Sequence, residues 1–240
     1  MFPLRDDNPT SIFPILTIGL IGLNIIVFLY QLSLGPRGQE LLVYQFGSIP
    51  AVLFGTQRLP EGVAVIPPFA SLFTSMFMHG GFMHLLGNML YLWIFGNNIE
   101  EAMGRFRFIV FYLLTGLAAS YAHALMNPTS VLPSIGASGA VAGVLGAYVL
   151  IYPRARILTL IFLGFFIRLM YIPAGIVLGI WFLLQLLSGG LGGQSNTGGV
   201  AFWAHIGGFV AGMLLVGLFK RREIRFFNPP VPHDRMVEEW

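Results

Sequence analysis

Long apolar runs separated by short polar segments dominate the pattern of this chain. A membrane-spanning helix needs about 20 mostly apolar residues, because the hydrocarbon core is about 30 Å thick and each helical residue rises about 1.5 Å. The pattern predicts six such helices, at approximately residues 12–32, 81–98, 106–126, 136–152, 173–187 and 200–219. The apolar stretch Ile157 to Ile167 has only eleven residues. It is too short to span, and we expect it to lie at the membrane interface.

The distribution of basic residues predicts the orientation of these helices. Lys and Arg accumulate on the cytoplasmic side of membrane proteins. Six spans place eleven of them on one side and only Arg37 and Arg58 on the other. We therefore expect cytoplasmic termini, a short basic tail over residues 220–240 and a long first outer loop. The predicted fold class is an all-α polytopic membrane protein with a six-helix bundle, forming a single domain over residues 1–240.

The composition excludes several classes of protein. Of the 240 residues, 56% are hydrophobic and 10% are charged, whereas an ordinary soluble domain has about 25% charged residues. The net charge is only +3, so the basic excess indicates membrane orientation, and we expect no nucleic acid and no nucleotide as partners. Without cysteine, the chain can form no disulfide, thiolate nucleophile or cysteine-ligated metal site. We expect neither a metal nor another cofactor.

A few polar side chains interrupt the apolar spans, where each is a candidate functional group because burial in lipid is costly. The main candidates are His84 and Asn88 in the second span, Ser138 in the fourth and His205 in the sixth. Counted at about 1.5 Å per residue from the cytoplasmic ends of their spans, all four lie about 18 to 24 Å above the inner boundary. The sequence therefore predicts a recessed polar site that opens to the outer side.

Small residues accompany two of these candidates. Gly139 and Gly143 follow the serine, and Gly208 and Gly212 follow the histidine of the sixth span. Small residues at this four-residue spacing let two membrane helices pack backbone to backbone. We therefore expect the serine and the histidine to come within hydrogen-bond reach.

The four candidates match the requirements of acyl-transfer chemistry. A serine is a weak nucleophile until a base takes its proton, and a neutral imidazole is the usual base, so Ser138 and His205 fit these roles. No Asp or Glu occurs in residues 102–222, which predicts a dyad without an orienting carboxylate. Asn88, His84 and the backbone N–H of the serine are candidate donors to an oxyanion.

Each residue taken alone has an ordinary structural explanation. A serine at a helix start is commonly a cap, and a buried His, Asn or Gln is commonly an interhelical hydrogen-bond partner. Gln185 is interpreted in this way, as a helix-contact group. Glu100 is expected to pair with Arg105 and Arg107 at the cytoplasmic boundary. The coincidence of nucleophile, base and donors in one layer nevertheless favours a catalytic site.

The motifs resemble those of the rhomboid intramembrane serine proteases. The matching segments are residues 79–88, 136–139 and 204–208, in the family's order, and the resemblance covers almost the whole chain. It implies cleavage of a peptide bond in or beside the transmembrane segment of a membrane-protein substrate, with Ser138 attacking and His205 as base and acid. It also implies that the fifth span and residues 189–199 act as gate and cap.

Two departures from the family pattern concern substrate handling more than the reacting groups. Ala142 stands where some members carry an aromatic ring that packs on the histidine, and the first outer loop lacks their Trp–Arg pair. The short tails resemble the minimal prokaryotic form in the plasma (inner) membrane. The alternative function is a catalytically silent rhomboid-like protein that binds transmembrane helices. A channel or transporter is disfavoured, because the spans contain no acid and the chain contains no repeat.

Overall fold

The computed structural model describes residues 2–163, 166–191 and 201–228, and it is mostly helical. The helices are α1 (Ile15–Ser33), α2 (Gly35–Phe46), α3 (Pro50–Leu53), α4 (Ser71–Thr74), α5 (Phe82–Met103), α6 (Arg105–Met126), α7 (Ser138–Ile151), α8 (Ala174–Leu191) and α9 (Phe202–Phe219). The strands are β1 (Phe2–Asp6), β2 (Arg156–Leu163) and β3 (Phe166–Pro173). Short 3₁₀ turns flank α4 at Pro68–Ala70 and Ser75–Phe77.

The apolar helices make this chain a membrane protein. Within the described ranges, three helices are long and apolar enough to cross a membrane, namely α1, α6 and α9, with mean hydropathies of 2.1, 1.6 and 1.8. Helices α7 and α8 are apolar but shorter. Helix α5 is 22 residues long and carries two glutamates near its C-terminal end.

Helix α7 lies at the centre of the packing. All ten residues from Gly139 to Tyr148 are buried, and the helix contacts α5, α6 and α9. A Cβ at Gly208 would overlap the carbonyl oxygen of Gly139, and a Cβ at Gly212 would overlap that of Gly143. Helices α7 and α9 are therefore in backbone contact, as the spacing of small residues predicts.

The buried carboxylate of Glu100 joins α5 to α1. It accepts hydrogen bonds from the backbone N–H groups of Leu16 and Thr17 at 3.0 and 2.8 Å, and from Thr17 Oγ1 at 2.8 Å. A carboxylate placed at the N-terminus of a helix satisfies N–H groups that have no intrahelical partner and interacts favourably with the helix dipole, even when it belongs to another helix. The expected pairing of Glu100 with Arg105 and Arg107 is therefore wrong, because the carboxylate caps α1 instead.

The described residues are mostly helical, as predicted, but the fold is not all-α, because β1, β2 and β3 form a three-stranded antiparallel sheet in that order. The stretch from Ile157 forms β2, and its register pairs Ile157 with Ile172 and Ile161 with Arg168. A short apolar segment leaves its backbone N–H and C=O groups unpaired unless it finds a partner. The segment that follows supplies this partner, and β-branched residues such as Thr159 fit a strand.

Two acidic residues attach the N-terminal strand to the rest of the molecule. Asp7 forms an ion pair with Arg156, with 2.6 Å between Oδ2 and Nε, and Tyr148 OH donates to Asp6 Oδ2 at 2.7 Å. Burial raises the pKa of Asp6 to about 7, and the hydrogen bond from Tyr148 opposes this shift. The folded protein therefore binds the Asp6 proton more tightly than the unfolded chain does.

We expect the attachment of β1 to weaken as the pH rises. Since the pKa of Asp6 is raised by folding, its protonated form favours the attached strand, and this contribution is lost progressively between about pH 4 and pH 7. A nitroxide on Leu4→Cys, in a chain without other cysteines, should be more mobile at about pH 8.5 than at about pH 5. Asp6→Asn should remove this dependence. Equal mobility at both pH values in the unsubstituted background would contradict the prediction.

Candidate active site

A tight loop before α5 sets the position of His84. Gln31 on α1 holds the loop, because its Nε2 donates to the carbonyl of His79 at 3.2 Å and its Oε1 accepts from the His79 N–H at 3.0 Å. The Gly80 N–H then donates to His84 Nδ1 at 3.4 Å. A neutral imidazole that accepts at Nδ1 carries its proton on Nε2. His84 therefore has an N–H donor at Nε2.

Gly136 brings His84 close to Ser138. Its φ is +132°, a conformation that favours glycine, and its N–H donates to the carbonyl of Ser75 at 2.9 Å. A Cβ at Gly136 would lie 2.7 Å from His84 Nε2 and 3.7 Å from Ser138 Oγ. Any side chain here would displace the imidazole, so glycine allows the ring and the hydroxyl to share one small volume.

Ser138 and Asn88 complete the donors that the sequence predicts. Ser138 is the first residue of α7, where N–H groups lack intrahelical partners and the helix dipole favours negative charge. Asn88 lies one turn after His84 on α5, and its side chain is 7% exposed. In the described part of the chain, its buried Nδ2 has no hydrogen-bond partner. Buried donors are normally hydrogen-bonded. An oxyanion that develops during a reaction would give this donor an acceptor.

His205, near the start of α9, is held by two side chains of α8. Its Nδ1 lies 2.7 Å from Gln185 Oε1. The ring of Trp181 lies against the imidazole, with 5.8 Å between the centroids and 31° between the planes. Helix α8 thus contributes directly to the surroundings of the predicted base.

Ser138 and His205 lie at the same end of the contact between α7 and α9. The carbonyl oxygen of Ala204 is 3.7 Å from the position of a Cβ at Gly139, so the residues next to each candidate are close. Among the described residues no hydrogen bond joins Ser138 Oγ to His205, and the bond to Gln185 on α8 is made by the other ring nitrogen, Nδ1. Catalytic hydrogen bonds are often long before substrate binds, and the dyad stays a prediction.

A small polar cavity adjoins Ser138. Its volume is about 10 Å³, and it is lined in part by Ser75, Ser120 and Ser134. This is enough space for about one water molecule, and serine side chains can supply the hydrogen bonds that such a molecule needs.

Sequence reasoning did not place two of these residues at the site. Gln185 was expected to be only a helix-contact group, and Trp181 was not singled out. They are four residues apart, and therefore on one face of α8. Their four-residue spacing was the one signal in the sequence that could have linked the two residues. Of the segment expected to form a cap, residues 192–199 lie outside the described residues.

The described residues contain no group of three His, Asp or Glu side chains that could hold a metal ion. The site residues instead supply a hydroxyl, two imidazoles and an amide, close to the N-terminus of a buried helix.

These features define a polytopic helical membrane protein with a polar site at the N-terminal ends of α5, α7 and α9. Residues 68–222 match the family model of the Rhomboid domain. The chain belongs to the rhomboid family.

Named relatives support this assignment. The chain is 30% identical over 188 residues to "Rhomboid protein 1, mitochondrial" of Saccharomyces cerevisiae, covering 72% of this chain and 51% of that protein. It is 33% identical over 159 residues to "Rhomboid-like protein 11, chloroplastic" of Arabidopsis thaliana, covering 65% and 54%. It is 33% identical over 135 residues to "Rhomboid protease GluP" of Bacillus subtilis, covering 56% and 24%. The chain thus spans about half the length of the first two relatives.

Proposed function

We propose that this chain is an intramembrane serine endopeptidase that cleaves transmembrane segments of membrane proteins within the bilayer. The observation that carries the proposal is the packing at Gly136, where the His84 ring and the Ser138 hydroxyl come within 4 Å of one point. Membership of the rhomboid family supports the proposal, as does the name of the Bacillus subtilis relative, a rhomboid protease.

The proposed topology is a single membrane domain of six spans formed by α1, α5, α6, α7, α8 and α9, with both termini in the cytoplasm. The connection over residues 34–81 is then the long first outer loop. Helix α7 has 14 residues and is therefore about 21 Å long, shorter than the hydrocarbon core of about 30 Å. Ser138 would thus lie below the outer surface. The end of the basic tail, residues 229–240, lies outside the described residues.

In the acylation step, Ser138 Oγ forms a bond to the scissile carbonyl carbon while its proton passes to His205 Nε2. The oxyanion accepts hydrogen bonds from Asn88 Nδ2, His84 Nε2–H and the Ser138 N–H. One such donor is commonly worth about 2.7 to 4 kcal/mol in the barrier. The carbon–nitrogen bond then breaks, and His205 returns the proton to the leaving amine.

Hydrolysis of the acyl-enzyme needs a water molecule at membrane depth. The cavity lined by Ser75, Ser120 and Ser134 adjoins Ser138 and has space for about one. In this step His205 takes a proton from water while the water oxygen bonds to the acyl carbon. The bond between this carbon and Ser138 Oγ then breaks as His205 returns the proton to Oγ. The substrate's carboxylate product leaves and the free enzyme is restored.

The prokaryotic plasma membrane remains the predicted location, with the site opening to the outer side. The relatives named above include one called mitochondrial, one called chloroplastic and one from Bacillus subtilis. The partners we propose are transmembrane proteins and the surrounding lipid.

Cleavage by the purified chain in liposomes tests the proposal. We expect it to cut a fusion protein whose transmembrane segment contains helix-weakening residues, and not one with a uniform leucine helix. A chelator should leave the rate unchanged, because the mechanism uses no metal. A fluorophosphonate should abolish the rate and modify Ser138, as detected by peptide mass spectrometry. Binding of several weakened segments without cleavage would replace this proposal with the silent helix-binding protein.

A further inference from the structure

The contact between Gln185 and His205 is the strongest feature that the proposed mechanism does not use. Gln185 lies in the middle of α8, and its amide oxygen is 2.7 Å from His205 Nδ1. Neutral glutamine in an apolar helix is costly to bury unless it is paired. This pairing is with the predicted base itself rather than with the backbone of a neighbouring helix.

The hydrogen bond determines which nitrogen of the imidazole carries the proton. An amide oxygen accepts and cannot donate, so the Nδ1 opposite it must be protonated in the neutral ring. The lone pair is then on Nε2, the nitrogen that has to take the proton of Ser138. Orientation of this kind is the role a carboxylate plays in a triad, and residues 102–222 contain no Asp or Glu.

Trp181 restricts the ring in a second way. It lies one helical turn before Gln185, and its indole lies against the imidazole at 5.8 Å between the centroids. On α7, the residue one turn after Ser138 is the buried Ala142, which offers no ring to the imidazole. Helix α8 therefore supplies both an acceptor and an aromatic surface to the same imidazole.

We propose that Gln185 is a positioning residue, which holds His205 with its proton on Nδ1 so that Nε2 can act as the base toward Ser138. This inference rests on the proposed protease function. It assigns to α8 a direct part in the reaction, because the acceptor that orients the base belongs to that helix. In the proposed step Gln185 acts through His205 Nδ1 and forms no bond to the reacting atoms Ser138 Oγ and His205 Nε2.

The test compares Gln185→Leu and Gln185→Glu in the full chain. Leucine has a similar volume but no acceptor, so we expect kcat to fall about 10- to 30-fold while KM changes less than about twofold. Glutamate restores an acceptor and should recover most of kcat. Leu29→Ala, at an exposed position on α1, is the control and should behave as the unsubstituted chain does.

Nitrogen-15 NMR of labelled histidine gives a readout that a purely structural role would not change. The His205 signals, identified by their loss in His205→Ala, should show protonated Nδ1 in the unsubstituted chain and a mixture of tautomers in Gln185→Leu. Unchanged kcat in an active Gln185→Leu chain, or a lower kcat with Nδ1 still protonated, would overturn the inference. If the unsubstituted chain cuts no segment, the protease function is refuted instead. The tautomer of His205 would then still show whether Gln185 accepts the hydrogen bond from Nδ1.

Discussion

Replacing Ser138 with alanine is expected to lower the rate of transmembrane-segment cleavage by about a thousandfold or more. The substitution removes the only atom that forms the covalent bond to the substrate carbonyl in the proposed mechanism. It leaves the backbone N–H at the start of α7, so the oxyanion donors remain. Alanine is a strong helix former, and the site of the lost hydroxyl is only partly buried. We therefore expect unchanged folding and unchanged binding of the substrate segment.

The measurement is the initial cleavage rate in liposomes, together with segment binding and the thermal unfolding midpoint. Ser33→Ala is the matched control, because among the described residues the Ser33 hydroxyl bonds only to the carbonyl of Tyr30 on its own helix, at 2.7 Å. His205→Ala should lose a similar factor, and the double variant should lose little more, since the two groups act as a unit. Cleavage by Ser138→Ala at more than about a tenth of the original rate would exclude Ser138 as the nucleophile.

The sequence was sufficient to locate the apolar helices, because lipid imposes a simple requirement on composition and length. The predicted fifth span, 173–187, begins one residue before α8, and the predicted sixth span, 200–219, ends with α9. The predicted fourth span, 136–152, begins two residues before α7. The close approach of α7 and α9 also follows from a local signal, namely small residues at four-residue spacing.

The sheet could not be predicted in the same way. The run beginning at Ile157 has no polar alternation, so periodicity does not distinguish a buried strand from a short apolar helix. Its strand conformation depends on partners at both sides, β3 and the distant β1. The Asp7–Arg156 ion pair beside the contact between β1 and β2 joins residues 149 positions apart. The sequence near either residue gives no indication of such a pairing.

The surroundings of the predicted base were missed for a related reason. Spacing shows that Trp181 and Gln185 share a face of α8, but it does not show which helix that face contacts. Glu100 illustrates the same limit, because nearby arginines were the obvious partners in sequence and the N-terminus of α1 is the partner in space. Contacts between helices depend on their rotation, which composition does not determine.

Replacing Gly208 with alanine is expected to lower cleavage by more than about 100-fold, through geometry rather than chemistry. A Cβ at this position would overlap the carbonyl oxygen of Gly139, a backbone atom that no side-chain rotation can move. Helix α9 must shift away from α7, and His205, one turn earlier on α9, shifts with it. A displacement of about 1 Å is enough to cost a hundredfold in rate. We also expect a loss of about 3 kcal/mol in stability, as for other overpacked cores.

Cleavage rate and the free energy of unfolding in mild detergent measure the two effects separately. Gly19→Ala on α1 is the matched control, because a Cβ there would meet nothing within 4 Å, and alanine should be neutral or slightly stabilising in that helix. Gly212→Ala should resemble Gly208→Ala, since its Cβ would overlap the carbonyl oxygen of Gly143. Full activity in both Gly208→Ala and Gly212→Ala would show that α7 and α9 are not in backbone contact. Lost activity with unchanged stability would show that the fold tolerates a shift of α9 that catalysis by Ser138 and His205 does not tolerate.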